Sequence, residues 1–548
     1  MNYRQTPRIV FQPKTAQGLR RGINQIADAV RPTLGPLPRL VAVSRADSDK
    51  APELLDNGGM IARRIIALGD RDADMGAMLM RQMIWRVYER VGDGTATAAV
   101  LFQFICNEGL RYLAADYNAM LLRNHLVEGL EVILEQLTRM AAPVGGKTRL
   151  TQVAESICHD PPLAETLGEI FDLIGEHGQF DMRSSRRREL ERQYVEGAYW
   201  SGGVFDRGMI VDRRQLRTEM QEAAILISDF EIEDPALLRD VLTGAYEAGI
   251  RSLVIVARTL SENAAALLLS ASQTPEKFLA IAVKIAGATA TDQMEAIQDL
   301  GILTGGQPLI QTAGESLSSF TPERLGKARR AWADADRFGI VGGKGEARAL
   351  RAYVADLRAA FERAADKDDR GRLRGRIGRL LGGSVILWVG GATEAEMGAR
   401  KEVVGRTAEA MRNVVKEGIV PGGGIALLNC QPALRQRLKQ TDEARGEASL
   451  EARAAYRILS KALEAPLRTI LANAGCEASP ILAEIESAGP GCGFDVRCGK
   501  VVDMKQAGIW DAAAVLKAAV HSAVSGAALA LTTDVLVHHK RLMVSFQP

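Results

Sequence analysis

The chain has 548 residues, and 69 Lys plus Arg against 67 Asp plus Glu leave a formal net charge of +2. That length exceeds what one hydrophobic core covers, so two or three domains are expected. The charge balance argues against a nucleic-acid binder held by a global basic field. Hydrophobic residues make up 47 % of the chain but aromatics only 5 %, so the core is aliphatic and suits a helix-rich protein. The six cysteines (Cys106, Cys158, Cys430, Cys476, Cys492, Cys498) form no CxxC pair and complete no zinc pattern with the six histidines. A reduced cytoplasmic chain with packing cysteines fits that usage. The N-terminus lacks the apolar stretch of a signal peptide, and no apolar run reads as approaching the ~20 residues of a membrane span. The expectation is a soluble cytoplasmic protein with neither a membrane nor a nucleic acid as partner.

Periodicity predicts helices near Thr15–Val30, Asp74–Arg90, Ala98–Leu113 and Tyr117–Met140. Ala141-Ala142-Pro143 stops the last of them. Short apolar runs then recur at Ala224–Ile227, Leu253–Ala257, Leu279–Val283 and Pro308–Ile310. Helical stretches at Pro235–Glu247, Ser261–Ser270 and Asp292–Leu303 lie between them, the alternation of an α/β unit. Ala352–Leu381 reads as one charged amphipathic helix. Beyond Gly418 long helices return at Ile425–Leu438, Gly446–Ala474 and Ala512–Leu531. With the order helical, α/β, helical, the two ends are expected to pack together as one discontinuous domain.

Three loops carry candidate chemistry. Val91-Gly92-Asp93-Gly94-Thr95-Ala96-Thr97-Ala98 sits between two helices, where glycines let the backbone approach a ligand. The next helix offers unpaired N–H groups to a phosphate, with Thr95 and Thr97 as added donors. Asp93 is a hard oxygen ligand of the kind Mg²⁺ takes beside phosphate oxygens. The plainer reading is a helix–turn–helix with an Asx N-cap, and both readings fit the spacing. Gly418-Ile419-Val420-Pro421-Gly422-Gly423-Gly424 is a second glycine-rich break, and Thr33-Leu34-Gly35-Pro36 a third. Gly145-Gly146-Lys147-Thr148 imitates the end of a P-loop, but a helix rather than a strand precedes it, so it reads as a linker.

The strings TLGP, DNGG-x-x-AR, GDGTATAAVL, FDRG, GGATEAEM, EGIVPGGGIAL and EAPLR, in this order, resemble a divergent group I chaperonin of the GroEL type. The resemblance implies a mainly helical α/β multidomain fold in three parts. An equatorial ATP-binding domain would span residues 1–140 and 418–548, an intermediate hinge domain 141–196 and 383–417, and an apical polypeptide-binding domain 197–382. It further implies an ATP-driven homo-oligomeric ring that folds unfolded polypeptides under a co-chaperonin lid. Thr33, Leu34, Gly35 and Pro36 match the first phosphate loop. Asp93, Gly94, Thr95 and Thr97 match the metal and phosphate loop, with Ala96 in place of a threonine. Gly423 matches the glycine lying against the nucleotide and Asp511 the ribose-binding acid. Asp495, Val496 and Arg497 occupy the adenine edge, where the family prefers Asn-Ala. Arg207 with Glu394 and Arg468 with Glu477 match inter-subunit contacts, and Pro143 with Gly418 and Gly197 with Gly383 match hinge positions.

The departures concern hydrolysis and capture. Aligned back from Gly422-Gly423-Gly424, the family's water-orienting acid is Arg406, and a guanidinium cannot accept a proton from water. The second family acid is Asn57, and the lysine that helps build the monovalent-cation site is Asp56. Either hydrolysis is lost or slowed, or Asp56 stands in for the missing acid by a local shift. On the client-binding surface the positions are Met209, Arg213, Arg214, Arg239, Leu242, Ala264, Leu268 and Leu269. Arginines there would bias capture toward acidic segments, and neutral drift is the other reading. Two functions follow: an ATP-dependent folding chaperonin, and a hydrolysis-deficient subunit that co-assembles with an ordinary paralogue.

Overall fold

The computed structural model describes residues 8–44, 52–175, 178–185, 187–213, 215–287, 289–381, 383–445 and 450–538. The chain divides into two compact units, one of Met1–Asp172 with Glu394–Pro548, the other of Leu173–Thr393. The first unit is thus discontinuous, as the helical ends imply.

Its core is a stack of long helices: Lys14–Val30, Arg71–Val91, Thr95–Leu113, Ala119–Met140, Leu450–Ala462 and Ala513–Leu531. Small residues let two of them approach closely, since a Cβ on Gly22 would lie 1.7 Å from the Ala73 carbonyl oxygen. The chain ends meet where Arg8–Val10 pairs antiparallel with Leu536–His538, Ile9 opposite Val537. Asp72 ties that junction down by accepting from Arg8 at 3.1 Å and pairing with His538 Nε2 at 2.8 Å. Ala513–Leu531 is long and apolar enough for a membrane span, contrary to the expectation that no run approaches one, but two-thirds of it (67 %) is buried in this core.

The second unit holds a six-stranded mixed sheet in the order Leu279–Lys284, Ser252–Ala257, Arg217–Ile227, Gly326–Asp334, Arg337–Gly343, Ala198–Ser201. Its first three strands are parallel and the others antiparallel. The helices Pro235–Glu247, Glu262–Ala271 and Ala290–Thr304 lie where the apolar alternation predicts them. A separate three-stranded sheet joins Gln179–Ser184, Gly383–Val389 and Glu191–Glu196. The segments expected as a hinge domain are therefore shared: their helices Lys147–Cys158 and Glu394–Glu417 belong to the first unit, this sheet to the second.

Three expected elements differ. Pro308–Ile310 makes only an isolated bridge through Leu309 to Ser228, because proline removes a ladder donor. The charged stretch forms two helices, Ala347–Arg363 and Lys367–Leu381, with Asp366 accepting from the Asp368 and Asp369 amides at the break. The long helices after Gly424 are interrupted as well, giving Ile425–Leu428, Gln431–Arg445, Leu450–Ala462 and Ala465–Asn473. Pro466 opens the last of these, where a missing N–H costs nothing.

Candidate functional site

Within the first unit the three loops converge on one pocket of about 440 Å³. Thr33, Leu34, Gly35, Pro36, Asp56, Asn57, Asp93, Gly94, Thr95, Ala96, Thr97, Arg406, Gly423, Asp495, Val496, Arg497 and Asp511 all line it. Every sequence-predicted nucleotide residue is thus brought to a single cavity.

Local structure explains the convergence. The first loop is pinned from the other chain end by Asn473, whose Nδ2 donates to the carbonyls of Arg31 (3.0 Å) and Leu34 (2.8 Å). Gly94 caps the Thr95–Leu113 helix with φ +77° and no side-chain cap, so the first N–H groups of that helix stay available. The Asx cap is therefore not formed: the Asp93 carboxylate takes no hydrogen bond among the described residues and is left to face the pocket. Gly92, at φ +74°, lets the Arg406 carbonyl approach, for a Cβ there would sit 2.5 Å from that oxygen. This contact seats the Glu394–Glu417 helix against the Gly92–Gly94 loop.

Asn57 is accounted for as a helix cap. Its Oδ1 accepts from Gly59 N at 2.8 Å and Met60 N at 3.2 Å, opening the Gly58–Arg64 helix. Asp56 does not stand free to replace the missing acid, because its Oδ2 accepts from Arg406 Nη2 at 3.0 Å. The guanidinium side chain is 6 % exposed and Asp56 39 %.

Asp511 faces the cavity from a short strand pairing Val420 with Asp511. Burial, with the charge of Asp93 adding, pushes its carboxyl up to about 7, against a backbone hydrogen bond from Gly424. At the opposite edge, burial works against Asp495, yet hydrogen bonds from Cys498 and the Arg497 amide hold its carboxyl below the ordinary range. Arg497 Nη1 reaches Glu155 at 3.4 Å.

The sequence reading missed one wall. Gln152, Glu155, Ser156, Ile157 and His159, from the Lys147–Cys158 helix and its end, also line the pocket. His159 has φ +53°, its Nδ1 is buried without a hydrogen-bond partner, and burial holds its pKa below normal. The polar break Cys158-His159-Asp160-Pro161 was the available signal. Lys147 of the P-loop imitation pairs with Glu165 and Glu169 and is absent from the pocket, as a linker requires.

In the second unit the expected capture surface is corrected. Met209, in the turn Arg207–Met209, and Leu242, Ala264 and Leu268, on the inner faces of Pro235–Glu247 and Glu262–Ala271, are buried core residues. Leu269 is half-buried against the same core, while Arg213 and Arg239 are exposed. Arg214 lies outside the described residues. The exposed rim of these helices also carries Glu233, Asp234, Asp240 and Glu262, so it is not a uniformly basic edge, and Leu237 rather than Leu242 is the outward leucine.

A chaperonin fold emerges from comparison with solved structures. The crystal structure of the chaperonin gp146 from bacteriophage EL 2 (Pseudomonas aeruginosa), in the presence of ATP-BeFx, matches with a TM-score of 0.66 at 17 % identity. The match covers 97 % of this chain and 99 % of that one. The chain belongs to the TCP-1/cpn60 chaperonin family, whose model matches residues 26–541, and its function is accordingly that of a chaperone.

Proposed function

We propose that this chain is a divergent group I chaperonin that binds Mg·ATP and assembles into rings acting on unfolded polypeptides, with hydrolysis slowed or lost. The observation that carries the reading is the one pocket joining an uncapped helix N-terminus, an Asp93 carboxylate without a hydrogen-bond partner among the described residues, and the buried acid Asp511. These residues fit the nucleotide. Asp93 would hold Mg²⁺ jointly with phosphate oxygens and water, since no group of three ligating side chains converges among the described residues. Bound Mg²⁺ would supply charge neutralisation at the phosphates. The helix N–H groups with Thr95 and Thr97 would orient the phosphates, and Asp511 would accept from ribose hydroxyls. Neither position matching a family acid offers a free carboxylate, which supports slow hydrolysis: Asn57 is a cap, and its neighbour Asp56 is paired to Arg406.

Ring assembly draws support from Arg207 and Glu394, both exposed and without an ion pair among the described residues. Arg468 pairs with its own Glu464 at 2.8 Å, which leaves Glu477 as the freer half of that contact. The test is a thermal-shift and ATPase pair on the purified chain. Saturating Mg·ATP should raise the melting temperature, Asp93→Ala should abolish that rise, and turnover should be slow. No rise in the wild type refutes nucleotide binding. Turnover of about 1 s⁻¹ or more, the lower end of ordinary enzymes, refutes impaired hydrolysis. Should turnover be slow, adding an ordinary paralogue tests for co-assembly and a partner lid.

A further inference from the structure

We propose that Arg406 is a terminal-phosphate ligand that makes this site select nucleoside triphosphate over diphosphate, with Asp56 as its resting counter-ion. The inference rests on the reading of the pocket as a nucleotide site and adds which phosphate it senses.

A guanidinium carries five N–H donors in a fixed fork. Arg406 is nearly sealed from water, yet only its Nη2 donates to a protein acceptor among the described residues, to Asp56 at 3.0 Å. The other Arg406 donors are not among the buried unpartnered atoms and Arg406 lines the pocket, so they are open to an anion there. The backbone is fixed as well, since the Arg406 carbonyl packs against Gly92 at the loop preceding the uncapped helix. The side chain is therefore held at the phosphate end and does not roam the surface.

A second observation points the same way. His159, from a different element, lines the same pocket with a buried Nδ1 that has no partner among the described residues. His159 feels the charges of Asp93, Arg406, Arg497 and Asp56. The apolar lining, by contrast, belongs to a cluster that gathers Phe494, Val496 and Ile509 around Met504. A base seated on that cluster directs the phosphate chain toward the charged end. The Arg406 fork beside the helix N–H groups, with His159 in the same lining, suits an anion with several oxygens, and the last phosphate of the chain is the one that meets Arg406. Fork-to-phosphate hydrogen bonding then displaces Asp56, whose greater exposure lets it return to solvent.

The experiment is titration calorimetry on the full-length chain with Mg²⁺, comparing a β,γ-imido triphosphate analogue of adenosine with ADP. Wild type should bind the triphosphate at least about tenfold more tightly, the factor expected for one charge-assisted hydrogen bond. Arg406→Ala should remove most of that ratio while leaving ADP affinity within about twofold, which also reports that the variant is folded. Arg406→Lys, keeping charge but not the fork, should fall between. Asp56→Asn should raise triphosphate affinity a few-fold by removing the competitor. Equal wild-type affinities, or a ratio unchanged in Arg406→Ala, overturns the role of Arg406 alone. Binding of neither ligand overturns the nucleotide reading as well.

Discussion

Asp511 offers the most quantitative handle on the site. Its carboxyl moves from the ordinary 3.8 to about 7, chiefly through burial. Between those values the unfolded chain is ionised at this position while the folded chain holds a proton. The unfolded state then binds fewer protons, so stability falls as pH rises from about 4 and stops falling above about 7. Roughly three pH decades at ~1.36 kcal/mol each give about 4 kcal/mol. Asp511 keeps a solvent-accessible edge, which screens the penalty and brings the expectation nearer about 2 kcal/mol. Asp511→Asn preserves shape and removes the charge. Urea unfolding of both proteins from pH 5 to pH 8, without nucleotide or Mg²⁺, should show the variant gaining on wild type by more than about 1 kcal/mol across that range. A difference between the two that stays flat with pH refutes the assignment of a buried, proton-holding acid.

Three further outcomes follow from the packing and the surface. Asp299 is fully buried and accepts from Arg376 Nη2 at 2.9 Å and Tyr353 Oη at 3.1 Å, with Arg379 at 3.7 Å. Asp299→Ala leaves Arg376 with Glu295 alone, 3.0 Å from its Nη1, and should cost about 3 kcal/mol in urea unfolding of the second unit's transition. Gly22→Ala must push apart two helices that touch at 1.7 Å from the added carbon, at an expected cost of about 1–3 kcal/mol by the same measurement. Light scattering at micromolar concentration should return a ring-sized species, and a 59.2 kDa particle alone, with and without paralogue, would contradict assembly.

Much of the architecture was legible because its signals are local. The helix from Lys14 to Val30 and the apolar runs at Leu253–Ala257 and Leu279–Val283 carry their periodicity in the chain itself. The helix breaks at Ala364 and Glu464 were not legible, since charged and alanine-rich residues continue the pattern through a turn that only capping and packing reveal. The burial of Leu242 and Leu268 was illegible for a related reason: an apolar residue on an amphipathic helix is assigned to a face by periodicity, but which face meets the sheet is settled by tertiary packing.

The site shows the same limit more sharply. Read singly, Asp56 and Arg406 are each the wrong charge at a position where the resemblance expects the opposite sign, and each counts as a defect. Side by side at 3.0 Å they neutralise one another across 350 residues of sequence, a relation that no local pattern contains. Each change alone leaves an imbalance: Arg406 without Asp56 loses the acid it hydrogen-bonds and keeps Glu402 as a charged neighbour, and Asp56 without Arg406 adds a third carboxylate beside Asp93 and Asp511. The pair balances charge at the pocket wall while leaving a guanidinium in its lining. What the sequence presents as the loss of a catalytic acid is, in the folded chain, the construction of an anion-binding group.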